Sequence, residues 1–136
     1  MANALYDGGR NAFLLGGIDW VTDDIRVVLV DTATYTVNLT THTTLGDIPI
    51  GERIAEVALA TKTAVAGVAD AADITFTAVG GDTAEALVIY KYDAGNNETQ
   101  STLIAYIDNA TGLPVTPNTG DIIVQWSDGA NKIFKL

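Results

Sequence analysis

The sequence predicts a mainly β domain: an antiparallel, jelly-roll-like sandwich or barrel of about seven to nine short strands with one short N-terminal helix. Three observations carry this. Short runs rich in Val, Ile, Leu and Tyr recur along the chain, several of them alternating apolar with polar residues. Between the runs stand clusters of Gly, Pro, Asn and Asp, the residues that turn a backbone. With no cysteine, the 136 residues must hold together through an apolar core, and the chain is long enough to build one. No linker or low-complexity tract divides it. Residues 1–136 therefore read as a single β domain, with 1–20 as an N-terminal helix or arm.

Taken in order, Ala2–Leu15 is the helix candidate. Ala4, Leu5, Ala12, Phe13 and Leu14 fall roughly on one side, and Gly16-Gly17 stops the run. Gly8-Gly9 weakens it by about 1 kcal/mol per glycine relative to alanine, so packing must hold it. Ile25–Asp31 is a strand whose continuous apolar run asks for burial on both faces. Thr32–Thr44, threonine-rich with Tyr35, Val37 and Leu39 alternating, reads as a weak strand or extended arm. Leu45–Gly51 is a loop with room for one helical turn. Glu52–Thr61 suits a helix by composition, but Ile54, Val57 and Leu59 miss the helical period, so a strand running on towards Val68 is expected.

Ala69–Ala72 reads as a turn, and Ile74–Val79 as an alternating strand. The longest feature is the apolar hairpin Glu85–Asp108, EALVIYKYD and STLIAYID joined by AGNNETQ. Both faces of its arms are apolar, which predicts a second sheet on one side and the helix or a neighbouring copy on the other. After it, Asn109–Gly112 is a turn, and Pro114 and Pro117 sit in an extended loop. Ile122–Trp126 is a strand, and Asp128-Gly129 is a hairpin signal that predicts Lys132–Leu136 pairing back onto it.

Charge narrows the partners. The net charge is -10, and seven basic residues are scattered with no two adjacent. Nucleic-acid binding needs clustered Lys and Arg, so none is expected. No run reaches the roughly 18 apolar residues of a membrane span. The N-terminus lacks the basic start and apolar run of a secretion signal, so synthesis in the cytoplasm is expected.

No catalytic or cofactor-binding constellation stands out. His42 is the sole histidine, no G-x-S-x-G occurs, and the serines are only Ser101 and Ser127. His42 reads as a polar loop residue, and one imidazole cannot make a zinc site. The densest oxygen cluster is the Asp93–Glu98 loop, with Asp93, Asn96, Asn97 and Glu98. It lacks EF-hand spacing, and turn geometry is its plainer role, so no metal is assigned to it. Tyr90, Tyr92 and Trp126, if exposed together, would offer a stacking platform for sugars; filling a core is the commoner use of such rings.

The opening MANALYDGGRNAFLLGGIDW, the strand IRVVLVDTATYTVNL and the closing run from EALVIYKYD to IIVQWSDGANKIFKL carry a resemblance that covers nearly the whole chain. The sequence resembles a family of small proteins encoded among the virion structural genes of tailed bacteriophages and prophages, of the capsid decoration or cement kind. That resemblance implies a non-enzymatic protein made in the host bacterial cytoplasm and bound outside the head, where it stabilises the shell. Its implied partners are the major capsid protein and itself, as a trimer. No catalytic residue or cofactor comes with it. The expected partner contact is the N-terminal segment, with Leu5, Tyr6, Phe13, Leu14 and Trp20 as anchors, unless that segment is a lid on the molecule's own sheet. A tail, neck or fibre component is the alternative reading, and a carbohydrate-binding module the second.

Overall fold

A computed structural model describes residues 3–110 and 112–136. The expected helix start at Ala2 and the Thr111 position of the 109–112 turn lie outside the described residues. The architecture is mainly β and antiparallel. Its elements are β1 (Ala4–Leu5), α1 (Asp7–Leu14), β2 (Ile25–Val30), β3 (Arg53–Ala58), β4 (Thr63–Val65), β5 (Val68–Asp70), β6 (Ile74–Phe76), β7 (Ala86–Lys91), α2 (Asn97–Gln100), β8 (Thr102–Ile107), β9 (Ile122–Val124) and β10 (Phe134–Lys135). One sheet has the order β1-β8-β7-β2-β3; against it lie a three-stranded sheet, β10-β5-β4, and the pair β6-β9. The result is sandwich-like.

The predicted hairpin is the centre of the large sheet. β7 pairs with β2 through Val27↔Ile89, Val28↔Val88 and Leu29↔Leu87, and with β8 through Leu87↔Ile107 and Val88↔Tyr106. Between Ile89↔Ala105 and Tyr90↔Leu103 the register slips, leaving Ile104 as an extra residue in β8. Such a bulge re-aims the backbone. Here the Ile104 carbonyl accepts the Tyr6 N–H at 2.9 Å, which docks the start of α1 against β8.

Both faces of the hairpin are covered by the chain itself. On one face Val27, Leu29, Leu87 and Ile89 pack with Phe76, Val124, Trp20 and Trp126 from the second layer. On the other, Val28, Val88, Tyr90 and Tyr106 pack under Tyr6, Tyr35, Leu45 and Ile48. The threonine-rich arm after β2 is thus a cover, and the apolar second face needs no neighbouring copy to bury it.

Three elements differ from expectation. The N-terminal segment starts as strand β1, paired with β8, and turns helical only at Asp7. The strand expected to run on to Val68 breaks into β3 and β4. Ala66 and Gly67, with φ of 52° and 80°, then reverse the chain, so that Ala69 and Asp70, expected in a turn, belong with Val68 to strand β5. The C-terminal KIFKL pairs with β5 and not with the Ile122–Val124 strand, whose partner is β6. Phe134 explains that choice: its ring meets Trp20 edge-on at 5.2 Å and Phe13 at 6.0 Å, which draws the C-terminus towards α1.

Candidate interaction face

The residues singled out in the sequence divide sharply by exposure. Leu5, Tyr6 and Trp20 are interior, and Trp20 donates its indole N–H to the Asp70 carbonyl at 3.1 Å. They anchor the fold, although Leu5 and Trp20 also border surface hollows. Phe13 is half-buried against Phe134. Leu14 alone of the five expected anchors is open, with 84% of its surface exposed, and neighbouring Leu15 follows at 77%.

No sugar platform forms. Tyr90 and Trp126 are buried on opposite faces of the large sheet. The Tyr90 hydroxyl donates to Glu56 at 2.9 Å, and burial, then the Glu56 charge, push its pKa up. Trp126 donates to the Ala72 carbonyl at 3.1 Å. The ring of Tyr92 is covered by the Arg26 guanidinium, 3.6 Å from its centroid.

Asp93, Asn97 and Glu98 of the Asp93–Glu98 loop already have partners within the chain. Asp93 Oδ1 accepts the N–H groups of Gly95 and Asn96 at 3.0 and 2.8 Å, and Asn97 Oδ1 accepts the Ser101 hydroxyl at 2.8 Å. Both Glu98 oxygens accept from Arg53 at 2.7 Å, and that hydrogen-bonded pairing holds the Glu98 carboxyl below its ordinary pKa. Arg53 also donates to the carbonyls of Leu45 and Ile48, at 2.8 and 2.6 Å, so one side chain ties the arm to the hairpin tip. Among the described residues no group of three or more His, Asp or Glu could hold a metal ion. No helix there is long and apolar enough to cross a membrane.

His42 belongs to a clamp. Its Nδ1 accepts the Asn38 N–H at 3.3 Å and lies 3.0 Å from the Tyr35 hydroxyl, which in turn lies 2.9 Å from that of Tyr6. Because Nδ1 accepts from the backbone, the tyrosines relay their protons towards it: Tyr6 to Tyr35, Tyr35 to His42. Burial pushes both phenol pKa values up, so both stay neutral donors. The chain joins α1's entry, the arm and the sheet, which is a structural task.

What remains open is a face made by the end of α1 and the end of β10. Two shallow hollows of roughly 420 and 460 Å³ meet at Phe13 and Leu136. Ile18, Val68 and Ala69 line the first, and Leu5 and Leu14 the second. Leu136 is 58% exposed beside them. Arg10 and Lys135 border the second hollow. Charge makes this side unlike the rest. Arg26, Arg53 and Lys91 sit 3.0, 2.7 and 3.2 Å from carboxylates, and Lys62 donates to the Asp23 carbonyl. Arg10 and Lys132 reach theirs only at 3.8 Å, and Lys135 has no ion pair among the described residues. Sequence reading missed Leu15, Leu136, Arg10 and Lys135, since only the pairing of β10 with β5 brings the C-terminus beside α1. No local pattern carries that pairing.

Neither any family model nor any curated protein matches the chain.

Proposed function

We propose that the chain is a non-enzymatic structural protein of a tailed-phage virion, bound outside the head and stabilising the shell, and that it attaches through the α1–β10 face. One observation carries the attachment: Leu14 and Leu136 lie exposed beside Arg10 and Lys135, with exposed Leu15 next in the chain, on an otherwise acidic, internally covered domain. An apolar centre with a polar, charged rim is the anatomy of a protein–protein interface, where arginine is enriched and water is displaced from the middle. Ile50 and Ile123 are also exposed but line neither hollow.

The virion assignment is supported by the sequence resemblance, and the attachment site by the geometry. Burying apolar surface contributes roughly 25 cal/mol per Å², so a modest patch repeated on many copies adds up to a firm clamp on a shell. The implied partners are the major capsid protein at this face and further copies of the chain, as a trimer. Removing residues 2–15 would not test this cleanly, because Leu5 and Tyr6 belong to the core. Quantitative mass spectrometry of purified particles does. Many copies in fixed ratio to the capsid subunits are expected; a handful per particle would place the protein in the tail, neck or a fibre instead.

A further inference from the structure

Beside the attachment face, the two layers of the domain leave a seam. β1 ends the five-stranded sheet and β10 ends the three-stranded one. A groove of roughly 520 Å³ runs between them, with Ala4 and Leu5 of β1 and Phe134 and Lys135 of β10 among its lining, and with Ala105 and Ile107 of β8. An edge strand offers backbone N–H and C=O groups that have no partner in their own sheet. Two such edges facing one groove form a ready place for an added strand.

The charge of the groove says what kind of strand. Arg10, Lys132 and Lys135 line it, three of the seven cations in a chain of net charge -10, and no carboxylate does. Asp7 and Asp128, the partners of Arg10 and Lys132, stand 3.8 Å off with side chains 53% and 104% exposed. Contacts so long and so wet are easily exchanged for better ones. The polar lining, Asn3, Asn109, Ser127 and Asn131, adds amide and hydroxyl groups that suit a peptide backbone.

We infer that this seam takes an extended, carboxylate-bearing segment of a different protein, whose backbone pairs with the open edges of β1 and β10 and whose acids meet Arg10, Lys132 and Lys135. A second copy docking seam to seam is the poorer occupant, because it would bring Arg10, Lys132 and Lys135 against their own equivalents. The inference deepens the attachment reading by naming the partner's chemistry, but it can fail on its own.

The test uses the full chain and a labelled short peptide of alternating glutamate and threonine. Binding is expected to weaken with salt, to slow amide exchange at residues 4–5 and 134–135, and to fall about fivefold in the surface variant Arg10→Gln/Lys135→Gln. The inference is overturned if no binding occurs, if the variant binds equally well, or if a lysine–threonine peptide serves as well. Inorganic polyphosphate matching the peptide without slowing those amides would reduce the groove to an anion patch. Self-association of the protein alone, lost in the variant, would hand the seam to a second copy. No peptide binding by the wild-type protein, with its loading on heads intact, would remove the seam and leave the attachment face standing.

Discussion

Gly9 sits where α1 crosses β8, and a Cβ there would lie 2.6 Å from the Leu103 carbonyl oxygen and 2.8 Å from the Ile104 Cα. From sequence the glycine pair looks like a weakness of the helix; in the fold Gly9 is the condition for docking it. Two effects of Gly9→Ala then compete. Helix propensity favours alanine by about 1 kcal/mol, while overpacking against backbone that cannot retreat costs about 1–3 kcal/mol. Gly9→Ala is expected to lower the urea midpoint, whereas Gly8→Ala, whose Cβ would meet only Thr43 at 3.5 Å, is tolerated. A stabilised Gly9→Ala would mean that α1 is not seated as described. Single aromatic residues were the least legible feature at this scale. Tyr6 and Leu14 were both expected to anchor a partner, but a bulge at Ile104 and a hydrogen bond to Tyr35 take Tyr6 inside, and neither is written near it in the chain.

Among elements, the hairpin of β7 and β8 was readable because its partner strands are neighbours in sequence and its alternation is long. The hairpin of β4 and β5 was not. Its two-residue turn, Ala66-Gly67, lacks the Asn-Gly signature that such turns favour. Ala66 holds φ of 52°, which costs a residue with a Cβ roughly 1–2 kcal/mol. Ala66→Asn, or Ala66→Gly, is therefore expected to raise stability by about 0.5–1 kcal/mol, read from equilibrium urea unfolding. An unchanged or lowered stability would contradict a turn of this type. β10 illustrates the other limit. The Asp128-Gly129 signal promises a hairpin, yet the chain passes to the neighbouring three-stranded sheet because Phe134 finds Trp20 and Phe13 there. Local turn chemistry lost to long-range aromatic packing, and the α1–β10 face follows from that outcome.

For the whole molecule, the apolar faces of the central hairpin suggested assembly, but the arm and the second layer cover them within one chain. The case for a partner moves from the core to the surface, where Leu14 and Leu136 are left uncovered beside Arg10 and Lys135. Leu14 and Leu15 end a helix and their side chains point outward, so Leu14→Asp/Leu15→Asp alters the face while sparing the fold. For the proposed role on a phage head, the direct measurement is co-sedimentation of the purified protein with expanded tailed-phage heads. Wild-type protein is expected to load to saturation in fixed ratio to the shell subunits. The double variant, with unchanged circular dichroism, is expected to stay in the supernatant; equal loading by both proteins would contradict attachment through this face.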